Sequence, residues 1–148
     1  MCDERTALAY HESGHAVVGH YLERELTEVR IEPDACTEFA TADMSEEHAV
    51  ALYMAGYRSV EIFHGAETAA EYDASLRRAS IDYRGASNTF STSDPRSLNP
   101  DRIEKNARAI VDRILDECRA EVVALATELL DRGRVSGAEA VQIIDDAQ

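Results

Sequence analysis

Residues 6–22 have the sequence TALAYHESGHAVVGHYL, which predicts the first helix of the chain. Its larger apolar side chains and its chemically reactive ones recur at steps of three and four residues, as along one side of an α-helix. These positions are Leu8, His11, Glu12, His15, Val18 and Leu22. His11, Glu12 and His15 form the pattern H-E-x-x-H. Because residues four positions apart lie on one helix face, both imidazoles can reach a single metal ion.

The residues around this pattern favour a metal site over a chance pair of histidines on a surface helix. Gly14 lowers helix stability by about 1 kcal/mol relative to Ala, so we expect another element to pack closely there. The flanking segments 7–10 and 16–19 are mainly apolar, so we expect both histidines to be partly buried. Zinc takes nitrogen and oxygen ligands and lowers the pKa of a bound water. Glu12 is placed to accept the proton of that water as a general base.

The rest of the chain predicts a mainly α fold with a minor β part. The pattern of residues 26–42 predicts a short strand, a turn and a second strand. We therefore expect a short strand element near residues 28–42. Ser45 is a typical N-cap for a second helix, and Gly65 is a typical helix end. Further helices are predicted over 69–79, from Pro100 to Gly133, and from the capping box at 136–139 to Ile144, with a polar loop over 85–99.

Length and charge limit the classes of function. A chain of 148 residues suits a single domain over 1–148. It has 29 acidic and 15 basic residues and a net charge of −14, which argues against nucleic acid or an anionic membrane as partner. No apolar run approaches the roughly 18 residues of a membrane span. The N-terminus lacks a signal-peptide pattern and the cysteines Cys2, Cys36 and Cys118 are scattered, so we expect a cytoplasmic protein with reduced thiols.

Three segments resemble the peptidase domain of the FtsH family. Residues 9–18, AYHESGHAVV, are similar to its active-site helix, whose motif is H-E-A-G-H-A. Residues 55–65, AGYRSVEIFHG, resemble its A-G-R-x-A-E-E-I-F-F-G helix, and residues 129–139, LLDRGRVSGAE, resemble its closing segment. Their order and spacing match across almost the whole chain. The resemblance implies a helical FtsH-peptidase-like fold and a zinc-dependent endopeptidase acting on a peptide or protein substrate, with His11 and His15 as ligands and Glu12 as general base.

The chain also departs from the family pattern. Tyr57 stands where the family has Arg, and Val60 stands where it has the first Glu of a pair. These departures leave open an alternative function, a zinc-binding but catalytically weak or inactive domain that binds or scaffolds other proteins. No G-x-x-x-x-G-K-[ST] loop is found, so we expect any ATP-driven unfolding of substrates to come from elsewhere. Family members assemble as hexamers, so the resemblance is compatible with a homo-oligomer.

The third zinc ligand has two competing positions. In the family it is an Asp in a segment like A-S-N-D, with Ala four residues further on. Residues 85–89, GASNT, match those letters best but place Thr89 at the ligand position. Asp82 keeps the acid and has Ala86 four residues later. A carboxylate is a much better zinc ligand than a neutral hydroxyl, so we predict Asp82, with Asp73, Asp94 and Glu61 as lesser candidates.

Two further expectations concern the surroundings of the metal. Glu61 lies in a mainly apolar part of the second predicted helix, where a carboxylate could accept the second N–H of a ligating imidazole. A solvated helix position is an equally good interpretation of Glu61. The strand near residues 29–32 is expected to form a sheet edge, and peptidases commonly bind substrate as an added strand at such an edge.

The choice of Asp82 generates a direct prediction. Asp82→Ala should lower zinc affinity far more than Thr89→Ala does, because a carboxylate offsets part of the ion's charge and a neutral hydroxyl does not. Titration of the two variants with zinc measures the difference. Wild-type affinity in Asp82→Ala would remove Asp82 from the site.

Overall fold

The first helix, α1 (Glu4–Tyr21), runs through the core of the computed structural model, which describes residues 3–40, 44–76 and 100–148. Asp3 caps α1, since its side chain accepts a hydrogen bond from the Thr6 N–H at 2.7 Å. Every residue from His11 to Gly19 is buried, because a second helix, a later helix and the sheet all pack against α1. The expected burial of the histidines is therefore confirmed.

Five more helices lie in the described parts of the chain, which makes the fold mainly helical as predicted. The second helix begins after Ser45, whose hydroxyl accepts the His48 N–H, and ends at Gly65, where φ is +92°. Glycine favours this left-handed region because it has no β-carbon. The helices are α2 (Glu46–His64), α3 (Ala66–Leu76), α4 (Pro100–Glu117), α5 (Arg119–Arg132) and α6 (Gly137–Asp146).

The single long helix predicted from Pro100 to Gly133 is wrong, because the chain leaves helical geometry at Cys118. This residue has φ −110° and ψ 32° and separates α4 from α5. The Cys118 N–H still bonds to the Ile114 carbonyl, and the Cys118 carbonyl still accepts the Val122 N–H. Hydrogen bonds at helical spacing therefore continue across the break, and the apolar periodicity continues with them. Periodicity alone could not reveal the boundary.

Three short strands form an antiparallel sheet in the order β2-β1-β3. The strands are β1 (Leu26–Arg30), β2 (Cys36–Phe39) and β3 (Arg134–Ser136). The first two confirm the predicted strand–turn–strand. The expectation that the strand near residues 29–32 forms an edge is wrong, because β3 pairs with the second side of β1 and places Val135 opposite Val29. Among the described strands, β2 and β3 lie at the edges of the sheet.

The sheet has one apolar face and one charged face. Val29 and Val135 are almost fully buried against the helices, in the same core cluster as Val17 and Ile144. On the opposite face Arg30 binds the carboxylates of Glu28 and Glu38 at 3.1 and 3.3 Å, and that of Asp34 in the following turn at 3.3 Å. The apolar face therefore turns β1 and β2 toward α1. No helix of the described ranges 3–40, 44–76 and 100–148 combines the length and apolar character needed to cross a bilayer.

The last helix offers a test of the local capping. Ser136 accepts the Glu139 N–H at 3.1 Å, and the Glu139 carboxylate accepts the Ser136 N–H at 3.2 Å, which confirms the predicted capping box. Ser136→Ala should lower the free energy of unfolding by about 1 kcal/mol, because it leaves an N-terminal amide of α6 without its acceptor. Urea unfolding followed by circular dichroism measures this loss. Thr127→Ala, on the exposed side of α5, is the control and should not reproduce it.

Candidate metal centre

His11, Glu12 and His15 meet on one buried turn of α1. Their potential ligand atoms all lie within 4.8 Å of one another, and no other group of this kind occurs among the residues that the structure describes. His11 Nε2 lies 3.0 Å from His15 Nε2 and 4.0 Å from Glu12 Oε2. The three side chains are 7%, 1% and 4% exposed in the order His11, Glu12 and His15. The sequence pattern therefore becomes a compact group that could bind a metal ion.

A backbone carbonyl of α2 orients the second imidazole. His15 Nδ1 lies 2.7 Å from the Leu52 carbonyl oxygen. Because a carbonyl only accepts hydrogen bonds, Nδ1 carries the ring proton and Nε2 keeps its lone pair. This is the tautomer in which a neutral imidazole binds a metal through Nε2. In the hydrogen bond between the two rings, His11 Nε2 is then the donor. To bind a metal ion through Nε2, a neutral His11 would carry its proton on Nδ1 instead.

The spacing of the two imidazole nitrogens agrees with shared coordination. Two nitrogens that each lie about 2.0–2.1 Å from one tetrahedral zinc ion are about 3.3 Å apart. His11 Nε2 and His15 Nε2 are 3.0 Å apart, so a small adjustment of either ring would suffice. The nearby Glu12 carboxylate adds a negative charge that favours a cation. The group is therefore compatible with binding a metal ion such as zinc.

Gly56 lets α2 approach the two rings. A β-carbon added at Gly56 would lie 2.5 Å from His11 Nε2 and 2.6 Å from His15 Nε2, closer than β-carbons in proteins come to other atoms. The Nε2 atoms of both imidazoles therefore face the backbone of α2 at a position where only glycine fits. Gly56 belongs to the segment 55–65 that resembles the FtsH family. Its role, to let α2 approach the two imidazoles, becomes visible only in the structure.

Gly14 has the same function on the opposite helix. A β-carbon added there would lie 2.5 Å from Ser59 Cβ and 2.6 Å from the Ala55 carbonyl oxygen. The close packing expected at Gly14 is confirmed, and α2 is the element that packs there. Helix axes separate according to the side chains between them, so two glycines bring α1 and α2 together.

Thr37 on β2 holds the carboxylate of Glu12. Its hydroxyl lies 2.9 Å from Glu12 Oε1 and 3.1 Å from the Glu12 carbonyl oxygen. Thr37 is itself buried, at 9% exposure. Sequence reasoning missed this residue, because the contact joins positions 25 residues apart. The only available signal was its place in a predicted strand near the H-E-x-x-H helix.

The interpretation of Glu61 as a support for an imidazole gains nothing from the structure. Glu61 forms an ion pair with Arg58 one turn earlier on α2, and the Arg58 guanidinium also donates to Asp112 on α4 at 2.8 Å. The hydrogen-bond acceptor beside His15 Nδ1 is the Leu52 carbonyl. His64 at the end of α2 packs edge-on against Tyr10 at 4.6 Å, and burial lowers the pKa of its imidazole.

The predicted third ligand lies outside the described residues. Asp82, its competitor Thr89 and the lesser candidate Asp94 all fall between 77 and 99. Asp73 lies on α3, and its side chain is likewise not described. The assignment of Asp82 therefore stays a prediction from the sequence.

Comparisons with known proteins give no independent assignment. The chain matches no protein-family model and no curated protein. The likeness to the FtsH peptidase domain therefore rests on the three quoted segments. The geometry adds a separate observation, a buried His-Glu-His group with the ligands and the ring orientation for a metal ion.

The close approach at Gly56 generates a prediction. Gly56→Ala should lower zinc affinity by about 10- to 100-fold, as changes just outside a ligand set commonly do, because the new methyl group displaces both imidazoles. It should also destabilise the fold by about 1–3 kcal/mol through overpacking, although helix propensity alone predicts a gain of about 1 kcal/mol. Zinc titration and urea unfolding measure the two effects.

The control for this prediction is Gly65→Ala. It adds the same methyl group at the end of α2, where nothing lies within 4 Å, so any cost comes from the backbone conformation alone. Zinc affinity should then match that of the wild type. Unchanged affinity in both variants would contradict the placement of the two rings against Gly56.

Proposed function

We propose that the chain is a zinc-dependent endopeptidase in which Glu12 is the general base. The observation that carries the proposal is the orientation of His15. Its Nδ1 lies 2.7 Å from the Leu52 carbonyl oxygen, so the lone pair of the ring is on Nε2, which faces His11 Nε2 at 3.0 Å. The resemblance of residues 9–18 and 55–65 to the FtsH peptidase domain supports the same reaction.

The roles of the residues follow from their chemistry. His11 and His15 would hold zinc through Nε2, and Asp82 is the predicted third ligand. When bound, zinc would polarise the scissile carbonyl and make a water acidic enough to lose a proton near neutral pH. Glu12 accepts that proton and later delivers it to the leaving amine. Its Oε2, 4.0 Å from His11 Nε2, lies on the side of the ligands and is the oxygen suited to this transfer.

The edge strand β2 supports a peptide or protein as substrate. The strand lies against α1 through the contact between Thr37 and Glu12, and its outer edge pairs with no other described strand. An extended peptide added to β2 would receive main-chain hydrogen bonds and pass close to Glu12. We therefore propose β2 as the site of substrate binding, in place of the strand at 29–32, which is central in the sheet.

A zinc-binding domain without turnover is the second candidate. The position where the family has a Glu is Val60 here, and its side chain is fully buried in a small apolar cluster that includes Ala7 and Ala69. Tyr57, which stands in place of the family's Arg, packs against the same cluster. Val60 and Tyr57 thus both pack in or against an apolar cluster at positions where the family has charged residues. This second function keeps the metal and the fold and loses only hydrolysis.

Variants of the three residues test the proposal. His11→Ala and His15→Ala should lose zinc, because the remaining ligands hold it weakly. Glu12→Gln should keep zinc and lose casein hydrolysis, because the base is not a ligand. Zinc content by atomic spectroscopy and hydrolysis of labelled casein, with a chelator control, measure the two properties.

The matched control and the outcomes separate the two functions. His48→Ala, on α2 and outside the His-Glu-His group, should keep both zinc and activity. Loss of zinc in Glu12→Gln would show that Glu12 is a ligand and that its assigned role is wrong. A wild-type protein that carries zinc and cleaves neither casein nor a peptide library would favour the binding domain.

A further inference from the structure

We infer that Thr37 is the positioning residue for Glu12: its hydroxyl anchors one oxygen of the base and leaves the second oxygen toward the metal ligands. This inference rests on the proposed function, because it assigns a role in the same reaction. It concerns a residue on β2 that lies outside the H-E-x-x-H helix and belongs to none of the segments that resemble the FtsH family.

The contact between Thr37 and Glu12 gives the two oxygens of the Glu12 carboxylate different surroundings. Oε1 lies 2.9 Å from Thr37 Oγ1, whereas Oε2 lies 4.0 Å from His11 Nε2. A hydroxyl has a single proton, and a charged carboxylate is a stronger acceptor than the Glu12 carbonyl at 3.1 Å. The proton of Thr37 therefore goes mainly to Oε1. With Oε1 fixed, rotation of the carboxylate about its terminal torsion is restricted and Oε2 keeps its direction.

Thr37 is itself held in place on both sides. It lies opposite Val29 in the β1–β2 pairing, and Val29 is fully buried in the core. Two residues later, the ring of Phe39 packs on Gly19 of α1, at a site that a β-carbon would occupy. The strand is thus fixed to β1 and to α1. The Thr37 hydroxyl is therefore held beside Glu12 by a rigid element of the fold. Such preorganisation is what a base needs at the moment of reaction.

The test compares two substitutions at one position. Thr37→Val has nearly the same shape but no hydroxyl, and Thr37→Ser keeps the hydroxyl. With the fluorogenic peptide that the zinc-loaded wild type cleaves fastest, Thr37→Val should lower kcat by about 10- to 100-fold with KM within about threefold, the size expected for a lost hydrogen bond to a charged group. Thr37→Ser should recover most of kcat. Thr27→Val, on the exposed part of β1, is the matched control and should behave as wild type.

Zinc content and unfolding supply readouts apart from activity. Thr37→Val should bind zinc with an affinity close to that of wild type, since Thr37 is not a ligand. In metal-free protein, Thr37→Val should lower the urea midpoint more in the wild-type background than in Glu12→Leu, which lacks the carboxylate. Equal shifts in the two backgrounds would show that the hydroxyl and the carboxylate do not interact, and would overturn the inference.

The outcomes distinguish the inference from the function on which it rests. An active wild type whose kcat is unchanged in Thr37→Val, or is not recovered in Thr37→Ser, overturns the role of Thr37 and leaves the peptidase proposal intact. A loss of zinc or a rise in KM alone would make Thr37 a structural residue, which also overturns it. A zinc-loaded wild type with no activity on casein or the peptide library rejects the proposed function, and the positioning role with it.

Discussion

Two helix backbones can approach each other closely only where neither helix carries a side chain at the crossing. Gly14 on α1 and Gly56 on α2 meet this condition, and added β-carbons would overlap the opposite helix or the two imidazoles. The distance between α1 and α2 therefore depends on two missing side chains. From this distance follow the position of the Leu52 carbonyl beside His15 and the burial of both rings.

Neighbouring elements supply hydrogen-bond partners for His15 and for one oxygen of Glu12, which are buried on α1. Placing a carboxylate and two imidazoles in an apolar core is costly unless they are hydrogen-bonded. Here His15 bonds to α2, Glu12 bonds to β2, and the two imidazoles bond to each other. Two elements from other parts of the chain, α2 and β2, thus converge on one turn of α1. The hydrogen bonds from α2 and β2 also orient the His15 ring and the Glu12 carboxylate.

The sequence predicted what depends on local spacing. The steps of three and four residues gave α1 and the meeting of His11 with His15, and the capping residues Ser45 and Ser136 gave the starts of α2 and α6. The break at Cys118 was not predicted, because hydrogen bonds at helical spacing, and the apolar periodicity with them, continue across it. The strand β3 has three residues between two helices, too few for an alternating pattern to be visible. Its pairing with β1 reversed the expected position of the sheet edge.

Contacts between residues that are distant in the chain could not be predicted from a single sequence. Gly14 revealed its role because a glycine inside a helix is unfavourable, which is a local signal. Thr37 and Leu52 gave no such signal, since a threonine in a strand and a leucine in a helix are ordinary. Their functions depend on which face of β2 and which turn of α2 come against α1. That information lies in the packing of the whole fold.

The acceptor for His15 is a main-chain atom, and this affects how the site can change during evolution. A side-chain carboxylate in that place could be lost through a single codon change. The Leu52 carbonyl remains whichever amino acid occupies the position, provided that the path of α2 is kept. The ring orientation of His15 is therefore insulated from substitution at its own partner. Substitutions that alter the site should instead occur at Thr37, whose side chain contacts Glu12, and at the two glycines that set the helix spacing.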